Sequence, residues 1–126
     1  MQIEIGEYVR TKTGFISKFI SKKKYVDIDE EVLDIYEFDK PIYYEYGEGY
    51  YHLYNEKDFD EVIAKHSKNI IDLVEVGDYV NGKLIHKIDK GKNYCYLYYG
   101  NCKTFVDYQI KSIVTKEQYK SVEYVM

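Results

Sequence analysis

A seven-residue segment occurs twice in this chain. Residues Ile3–Val9 read Ile-Glu-Ile-Gly-Glu-Tyr-Val and residues Val74–Val80 read Val-Glu-Val-Gly-Asp-Tyr-Val, so that every position is identical or conservatively replaced. The second copy continues through Asn81-Gly82 into another β-like run, and the first continues through a longer turn that ends at Gly14. Asn-Gly favours a tight hairpin, because both turn positions need a positive φ. The repeat therefore predicts two copies of one unit that begins strand, turn, strand.

The carboxyl-terminal part of the second unit also predicts a definite order of secondary-structure elements. Residues Ile110–Val114 alternate as a strand would. Thr115 and Gln118 fit a capping box, in which Thr115 accepts a backbone hydrogen bond and Gln118 reaches back. About one helical turn is expected there, followed by a final strand at Val122–Val125.

The first unit ends in a similar way. Asp58 or Asp60 is placed to cap a short helix over residues 61–65, and residues 69–74 predict the closing strand. That strand runs directly into the second copy of the repeat. Between these ends, residues 25–54 are rich in Tyr and β-branched side chains, which favour two or three further short strands.

These patterns predict a mainly β fold. Four or five short antiparallel strands, with one helical turn before the last strand, is the order of an SH3-like small barrel. We therefore expect two tandem SH3-like barrels, at residues 1–72 and 73–126. The first is longer because it holds an acidic, tyrosine-rich insertion.

The sequence shows no signal for a membrane or for export. No apolar run approaches the roughly 20 residues that span a bilayer, and residues 1–4 do not begin the basic and apolar regions of a secretory signal. The two cysteines are too few for a disulfide framework. These observations predict a protein of the reducing cytoplasm, without membrane association.

The two cysteines are expected to be free. Cys95 and Cys102 lie on opposite arms of a predicted hairpin around Gly100-Asn101. Pairing of Tyr99 with Cys102 would place Cys95 opposite residue 106, so a disulfide is disfavoured. Zinc would need two more ligands at a suitable spacing, and the sequence offers none.

The histidines do not indicate a catalytic site. His52, His66 and His86 are scattered, and no Ser, Cys or Asp is placed beside them as a readable nucleophile. No glycine-rich phosphate loop is present either. We therefore predict a protein that is not an enzyme, with no catalytic residue, no metal ligand and no cofactor.

The charge of the chain is concentrated in one segment. Residues 27–61 contain 13 acidic and 2 basic side chains, whereas the rest of the chain is net basic. Carboxylates interleaved with tyrosine rings on a β scaffold predict a surface that competes with nucleic acid for a basic cleft on a partner. The alternative is ordinary strand packing, with half-buried rings and solvated carboxylates. The candidate partner-binding residues are Asp29, Glu30, Glu31, Asp34, Glu37, Tyr43, Tyr44, Glu45, Tyr46, Tyr50 and Tyr51.

Direct nucleic-acid binding is an alternative with less support. Lys22-Lys23-Lys24 could contact phosphate, and SH3-like barrels often bind nucleic acid. However, the isoelectric point is about 5.4 and Arg10 is the only arginine, whereas DNA-binding proteins usually present basic faces and use arginine for base recognition. Tight binding to DNA is therefore not expected.

Three stretches of the chain resemble a known group of proteins. Residues Lys65–Gly82, residues Ile110–Tyr119 and the opening Gly6–Thr11 look like a family of small uncharacterised proteins from phages, prophages and mobile elements of Clostridia and related bacteria. The resemblance covers most of the chain except Asp27–Tyr54. It implies a genetic setting rather than a reaction.

Small phage proteins without catalytic motifs are often inhibitors of host defence, as anti-CRISPR proteins are. By this analogy we expect a stoichiometric inhibitor that binds a host protein, such as a nucleic-acid-binding defence effector, through its acidic tyrosine-rich face. An SH3-like nucleic-acid-binding accessory protein and a protein that sequesters a nucleotide signal are the alternatives.

Overall fold

The computed structural model describes residues 1–118 of the 126-residue chain. The chain divides into two compact units, one of residues 1–68 and one that begins at residue 69, whereas the expected boundary followed residue 72. The predicted mainly β fold is confirmed, because both units consist mostly of short antiparallel strands. In the described part, no helix has the length and apolar character needed to cross a membrane.

The first unit contains seven strands and one short helix. Five of the strands form one antiparallel sheet in the order β6-β3-β2-β1-β7, and β4 and β5 form a separate hairpin. In chain order the elements are β1 (Tyr8–Thr11), β2 (Ile16–Val26), β3 (Val32–Phe38), β4 (Tyr43–Glu45), β5 (Glu48–Tyr50), β6 (His52–Tyr54), α1 (Lys57–Val62) and β7 (Ile63–Ser67).

An aromatic cluster forms the core of the first unit. The rings of Tyr36 and Phe59 meet edge to face with their centroids 4.6 Å apart, and Phe19 lies 5.7 Å from Tyr36. Such contacts add to the stabilisation that burial of the rings already provides. The buried members of this core are Val9, Phe19, Tyr36, Phe38, Ile42, Leu53, Phe59 and Ile63.

The second unit is built from shorter strands around a smaller core. Up to residue 118 it contains two three-stranded sheets, in the orders β10-β11-β12 and β13-β8-β9. Its elements are a 3-10 turn (Ile70–Leu73), β8 (Tyr79–Val80), β9 (Lys83–Leu84), β10 (Lys87–Lys90), β11 (Cys95–Tyr99), β12 (Lys103–Phe105), a second 3-10 turn (Asp107–Gln109) and β13 (Ile113–Val114). The buried core residues are Ile71, Val74, Val80, Ile85 and Leu97.

The two glycines of the sequence repeat occupy equivalent positions. Gly6 has φ 99° and Gly77 has φ 101°, a conformation that strains any side chain. The N–H of Gly6 donates to the carbonyl of Phe19 (2.8 Å), and the N–H of Gly77 donates to that of Ile85 (2.9 Å). Each unit therefore enters its first strand through the same glycine turn.

A buried carboxylate closes each of these turns. Glu7 accepts a hydrogen bond from the N–H of Glu4 (2.6 Å), and Asp78 accepts one from the N–H of Glu75 (2.7 Å). Burial alone would raise the pKa of Glu7, but the hydrogen bonds from Glu4 and from His66, whose Nδ1 lies 3.0 Å away, outweigh it and lower that pKa. The Glu7 carboxylate therefore stays charged and holds the turn.

The SH3-like arrangement is not confirmed. None of the sheets formed by residues 1–118 closes into a barrel. In the first unit β2 and β3 pair with each other beyond the strands that flank them, and the outer part of β2 is exposed. In the second unit the strands are two to five residues long, so each sheet ends before it could close on itself.

The end of the first unit differs from the prediction. The helix begins at Lys57 rather than at residue 61, because Phe59 must turn into the core. The closing strand is β7, which pairs with β1 through Tyr8 opposite Ser67 and Val9 opposite His66. Residues 69–74, predicted as that strand, instead form a 3-10 turn in the second unit.

The end of the second unit is described in part. β13 pairs with β8, as Val80 opposite Ile113, and a helical turn begins at Lys116. Thr115 accepts a hydrogen bond from the N–H of Gln118 at 3.4 Å, which confirms one half of the predicted capping box. The predicted final strand, Val122–Val125, lies outside the described residues.

Candidate partner-binding surface

The β2–β3 hairpin extends beyond the sheet that anchors it. β1 pairs with β2 only at Ile16–Lys18, and β6 pairs with β3 only at Ile35–Glu37. The outer part of the hairpin, from Lys22 to Val26, is exposed. No further strand pairs with its edges within residues 1–118. Consecutive side chains of a strand alternate between its faces, so the exposure of every residue from Lys22 to Val26 means that both faces of this part of β2 reach solvent.

A compact turn at residues 27–31 ends this hairpin. Asp27 organises the turn: its Oδ1 accepts hydrogen bonds from the N–H groups of Asp29 and Glu31, each at 2.9 Å. Glu30 adopts φ 61°, and its N–H donates to the carbonyl of Asp27 at 3.0 Å. Asp27 is therefore a structural residue, whereas the three carboxylates after it project into solvent.

Three of the predicted acidic residues come together at this turn. Asp29, Glu30 and Glu31 are exposed, and their side chains form no ion pair with any described residue. Three like charges on one short turn produce a local negative potential that reaches about a Debye length into solution.

Apolar side chains accompany these charges. Ile28 at the centre of the turn is 98% exposed, and Tyr25, Val26 and Val32 beside it are between 55% and 60% exposed. We use the term hairpin tip for the surface formed by residues 25–32. Large apolar groups gathered on a projecting element are typical of a protein-binding surface.

The sequence prediction did not include these apolar residues. Tyr25 and Val26 are consecutive in β2, so their side chains lie on opposite faces of the strand. Tyr25 pairs with Leu33 and Val26 pairs with Val32, both of which are also apolar. A strand end that is apolar on both faces breaks the alternation expected of a half-buried strand. This break in the alternation is the sequence feature that could have indicated an exposed apolar surface here.

Asp34 and Glu37 do not belong to the hairpin tip. They lie three positions apart on β3 and therefore point to opposite faces of the sheet. Each faces a lysine of β2: Lys22 Nζ is 4.0 Å from Asp34, and Lys23 Nζ is 3.1 Å from Glu37. The hydrogen bond from Lys23 lowers the pKa of the Glu37 carboxyl. The lysine run thus neutralises part of the acidic segment.

Some of the predicted tyrosines pack within the β4–β5 hairpin. Tyr43 and Tyr50 stand opposite each other with their rings stacked, 4.9 Å apart and 2° from parallel. Burial raises the pKa of the Tyr43 hydroxyl. Tyr44 lies against Phe15, with 5.3 Å between the ring centroids. For this set, ordinary strand packing describes the role of the rings well.

The remaining predicted residues are exposed around the β4–β5 turn. Tyr46 and Gly47 both have positive φ, as a tight two-residue turn requires, and Tyr46 is 96% exposed. Glu45 and Tyr51 are also exposed. The predicted set is thus divided: the hairpin tip holds Asp29, Glu30 and Glu31, β3 holds Asp34 and Glu37, and the β4–β5 hairpin holds Glu45 and the tyrosines up to Tyr50.

The cysteines and histidines of the described chain do not assemble into a candidate metal centre. No group of three His, Cys, Asp or Glu side chains within residues 1–118 is arranged to hold a metal ion. Both cysteines are free, and burial raises the pKa of the Cys95 thiol, which makes it a poor nucleophile. The β11–β12 register pairs Tyr99 with Lys103, one residue away from the predicted pairing.

Comparison with known proteins does not assign this chain to a family. Family models, curated proteins and solved structures gave no match to this chain. The resemblance to phage and mobile-element proteins therefore remains a sequence-based prediction, and the function is argued from the geometry of the chain.

Proposed function

We propose that this chain is a non-enzymatic phage or mobile-element protein that binds a host defence factor and inhibits it in a stoichiometric complex. The observation that carries the proposal is the hairpin tip. It projects from the first unit, exposes four large apolar side chains and carries three carboxylates that form no ion pair within residues 1–118. This arrangement supports a contact made by an apolar centre within a charged rim.

The charge of the tip supports a particular kind of partner. Defence effectors that act on nucleic acid hold it in basic clefts, which attract carboxylates as they attract phosphates. Asp29, Glu30 and Glu31 would accelerate encounter with such a cleft, and Ile28 would supply the apolar contact that slows dissociation. We include the SH3-like relationship of the two units in this proposal. In both units a glycine turn leads into a first strand, and a second turn and a second strand follow it.

The placement of the basic groups favours a protein partner over nucleic acid. Arg10 is 1% exposed, so the only arginine of the chain is inside the first unit. Lys22 and Lys23 lie next to Asp34 and Glu37. A phosphate would have to compete with these carboxylates for the lysines.

The protein is therefore expected to bind duplex DNA weakly. At about 150 mM salt a gel shift with duplex DNA should show no complex at sub-micromolar protein, because phosphate contacts supply most non-specific affinity. Lowering the salt should not produce a steep gain. A sub-micromolar complex at that salt would favour the nucleic-acid alternative instead.

The proposal itself is tested by capture followed by reconstitution. Wild-type protein and the Ile28→Ser variant are each immobilised and exposed to nuclease-treated clostridial extract, with Tyr108→Ser as the control because Tyr108 is 86% exposed and lies outside the candidate set. We expect a host protein that the wild type and Tyr108→Ser retain and Ile28→Ser loses, because a desolvated apolar anchor at the centre of an interface contributes about 2 kcal/mol or more. The purified host protein should lose its activity when mixed with one equivalent of wild type. If Ile28→Ser retains the same proteins as wild type, the hairpin tip is not the contact surface.

A further inference from the structure

A cleft of about 440 Å³ lies between the two sheets of the second unit. β9 contributes one wall, and the β11–β12 turn with the adjoining ends of its strands contributes the other. Its volume is within the roughly 300–1,000 Å³ of pockets that hold small molecules. The residues that line it are Lys83, Leu84, His86, Tyr99, Gly100, Asn101 and Lys103.

The residues that line the cleft include two lysines and a histidine but no carboxylate. Lys83 and Lys103 are exposed, and neither forms an ion pair with a described residue. In the same unit Lys90 and Lys116 differ, because each ammonium lies 2.9 or 2.8 Å from a carboxylate oxygen. Positive charges gathered without a counterion repel one another, and a bound anion removes that repulsion.

The aspartates close to these lysines along the chain are engaged elsewhere. Asp78 is fully buried and accepts backbone hydrogen bonds at 2.7 and 2.9 Å, and Asp107 accepts one at 3.2 Å. Asp89 stands opposite Tyr96, which is three positions from Tyr99 and therefore points to the other face of β11. The basic character of the cleft is thus not offset by these three carboxylates.

The β11–β12 turn holds His86 at the cleft. His86 Nε2 lies 3.0 Å from the carbonyl oxygen of Gly100. A carbonyl can only accept, so Nε2 carries a hydrogen and donates it. The other ring nitrogen, Nδ1, donates a second hydrogen when the ring is protonated and accepts one from a P–O–H group when the ring is neutral. In both states the ring can hydrogen-bond to a phosphate group.

An apolar part of the cleft adjoins these basic groups. Leu84 is 47% exposed, which is high for a side chain of its size and character. Tyr99 is partly exposed, and its ring is stacked on Phe105 with 4.2 Å between the centroids. The cleft is larger than a phosphate ion alone would fill. The ligand that fits best therefore joins a phosphate to a small organic group.

We propose that this cleft binds a small phosphate monoester. Lys83 and Lys103 would donate charge-assisted hydrogen bonds to the phosphate oxygens, His86 would add one more, and Leu84 would contact the organic group. One such cleft holds one phosphate, which is not the row of phosphate contacts that tight binding to duplex DNA requires. The proposal does not depend on the hairpin tip, because every residue of the cleft belongs to the second unit.

The experiment uses phenyl phosphate as the probe, with inorganic phosphate and phenol as its two halves. Each is titrated into the full chain at constant ionic strength, and the amide signals of residues 83–86 and 99–103 and the heat of binding are followed. Phenyl phosphate should shift these signals with one site per chain. It should bind about tenfold more tightly than either half, because only it makes both the ionic and the apolar contact. In a separate series, added salt should weaken its binding, since the lysines are exposed.

Variants separate this site from attraction by net charge. Lys83→Gln and Lys103→Gln should each weaken phenyl phosphate binding by about tenfold, as expected for loss of a charge-assisted hydrogen bond. Lys92→Gln removes the same charge from the exposed β10–β11 turn, outside the cleft, and should bind as the wild type does. All three lysines are exposed, so the variants should fold.

Three results would overturn the proposal. The first is the absence of amide shifts at residues 83–86 and 99–103 with phenyl phosphate at about 10 mM, a concentration that detects even millimolar affinity. The second is equal weakening by Lys92→Gln and by the two cleft variants. The third is equal affinity for inorganic phosphate and phenyl phosphate, which would make the site one for a free anion.

Discussion

Changing Asp29, Glu30 and Glu31 together to lysine should slow association with the captured host protein by about 10- to 1,000-fold at low salt. The three side chains are exposed and form no ion pair with the residues that the structure describes. They would face a basic cleft, so reversing them turns attraction into repulsion. Asp34 is left unchanged because Lys22 already lies beside it. Association rates measured by surface plasmon resonance at two salt concentrations test this expectation.

The fold should tolerate the triple change. Asp27, which holds the turn, is retained, and exposed substitutions usually alter stability by no more than about 0.5 kcal/mol each. Reversal of Glu48, Asp60 and Glu61 changes the net charge equally at other exposed sites and serves as the control. Only the change at the hairpin tip should reduce association and the inhibition of the host protein. If both variants slow association alike, the effect is one of net charge, and the tip has no special role.

Replacing Asp78 with alanine should lower the free energy of unfolding of the second unit by about 3 kcal/mol. Asp78 is fully buried and accepts hydrogen bonds from the N–H groups of Glu75 (2.7 Å) and Lys116 (2.9 Å). Alanine leaves both donors without this acceptor. Since domains of this size are stable by only about 5–15 kcal/mol, urea unfolding followed by the amide signals of the second unit should show the loss clearly.

Asp89→Ala is the matched comparison for this prediction. Asp89 is a half-buried aspartate on β10 whose side chain accepts no backbone hydrogen bond among the described residues, so its removal should change stability by about 0.5 kcal/mol or less. The amide signals of residues 1–68 should be unaffected by either change. A loss of similar size from both variants would mean that the turn does not depend on the Asp78 carboxylate.

The repeated turn could be read from the sequence because its requirements are local. A backbone at φ near 100° excludes side chains, so Gly6 and Gly77 mark the same bend wherever it occurs. The acidic residue after each glycine reaches back over three residues to a backbone N–H. Neither feature depends on a distant part of the chain.

The partner surface was predictable only in part. The cluster Asp29–Glu31 follows from composition, because consecutive acidic residues are placed in solvent by almost any fold. The ion pairs of Asp34 with Lys22 and of Glu37 with Lys23 join residues 12 and 14 positions apart, and they depend on the register between β2 and β3. The same register decides that Tyr25 and Val26 lie beyond the supporting strands.

The sequence by itself determined the β character of the chain, its repeated glycine turns and the acidic segment at residues 27–61, since each depends on residues near one another along the chain. Tertiary structure decided whether the sheets close, which strand flanks β1, and which side chains the core covers. Tyr36 illustrates the difference. Its alternation on β3 places it on the inner face with Phe38, but only the packing of Phe19 and Phe59 around its ring buries its hydroxyl as well. Long-range packing buries such a group, and no local pattern encodes it.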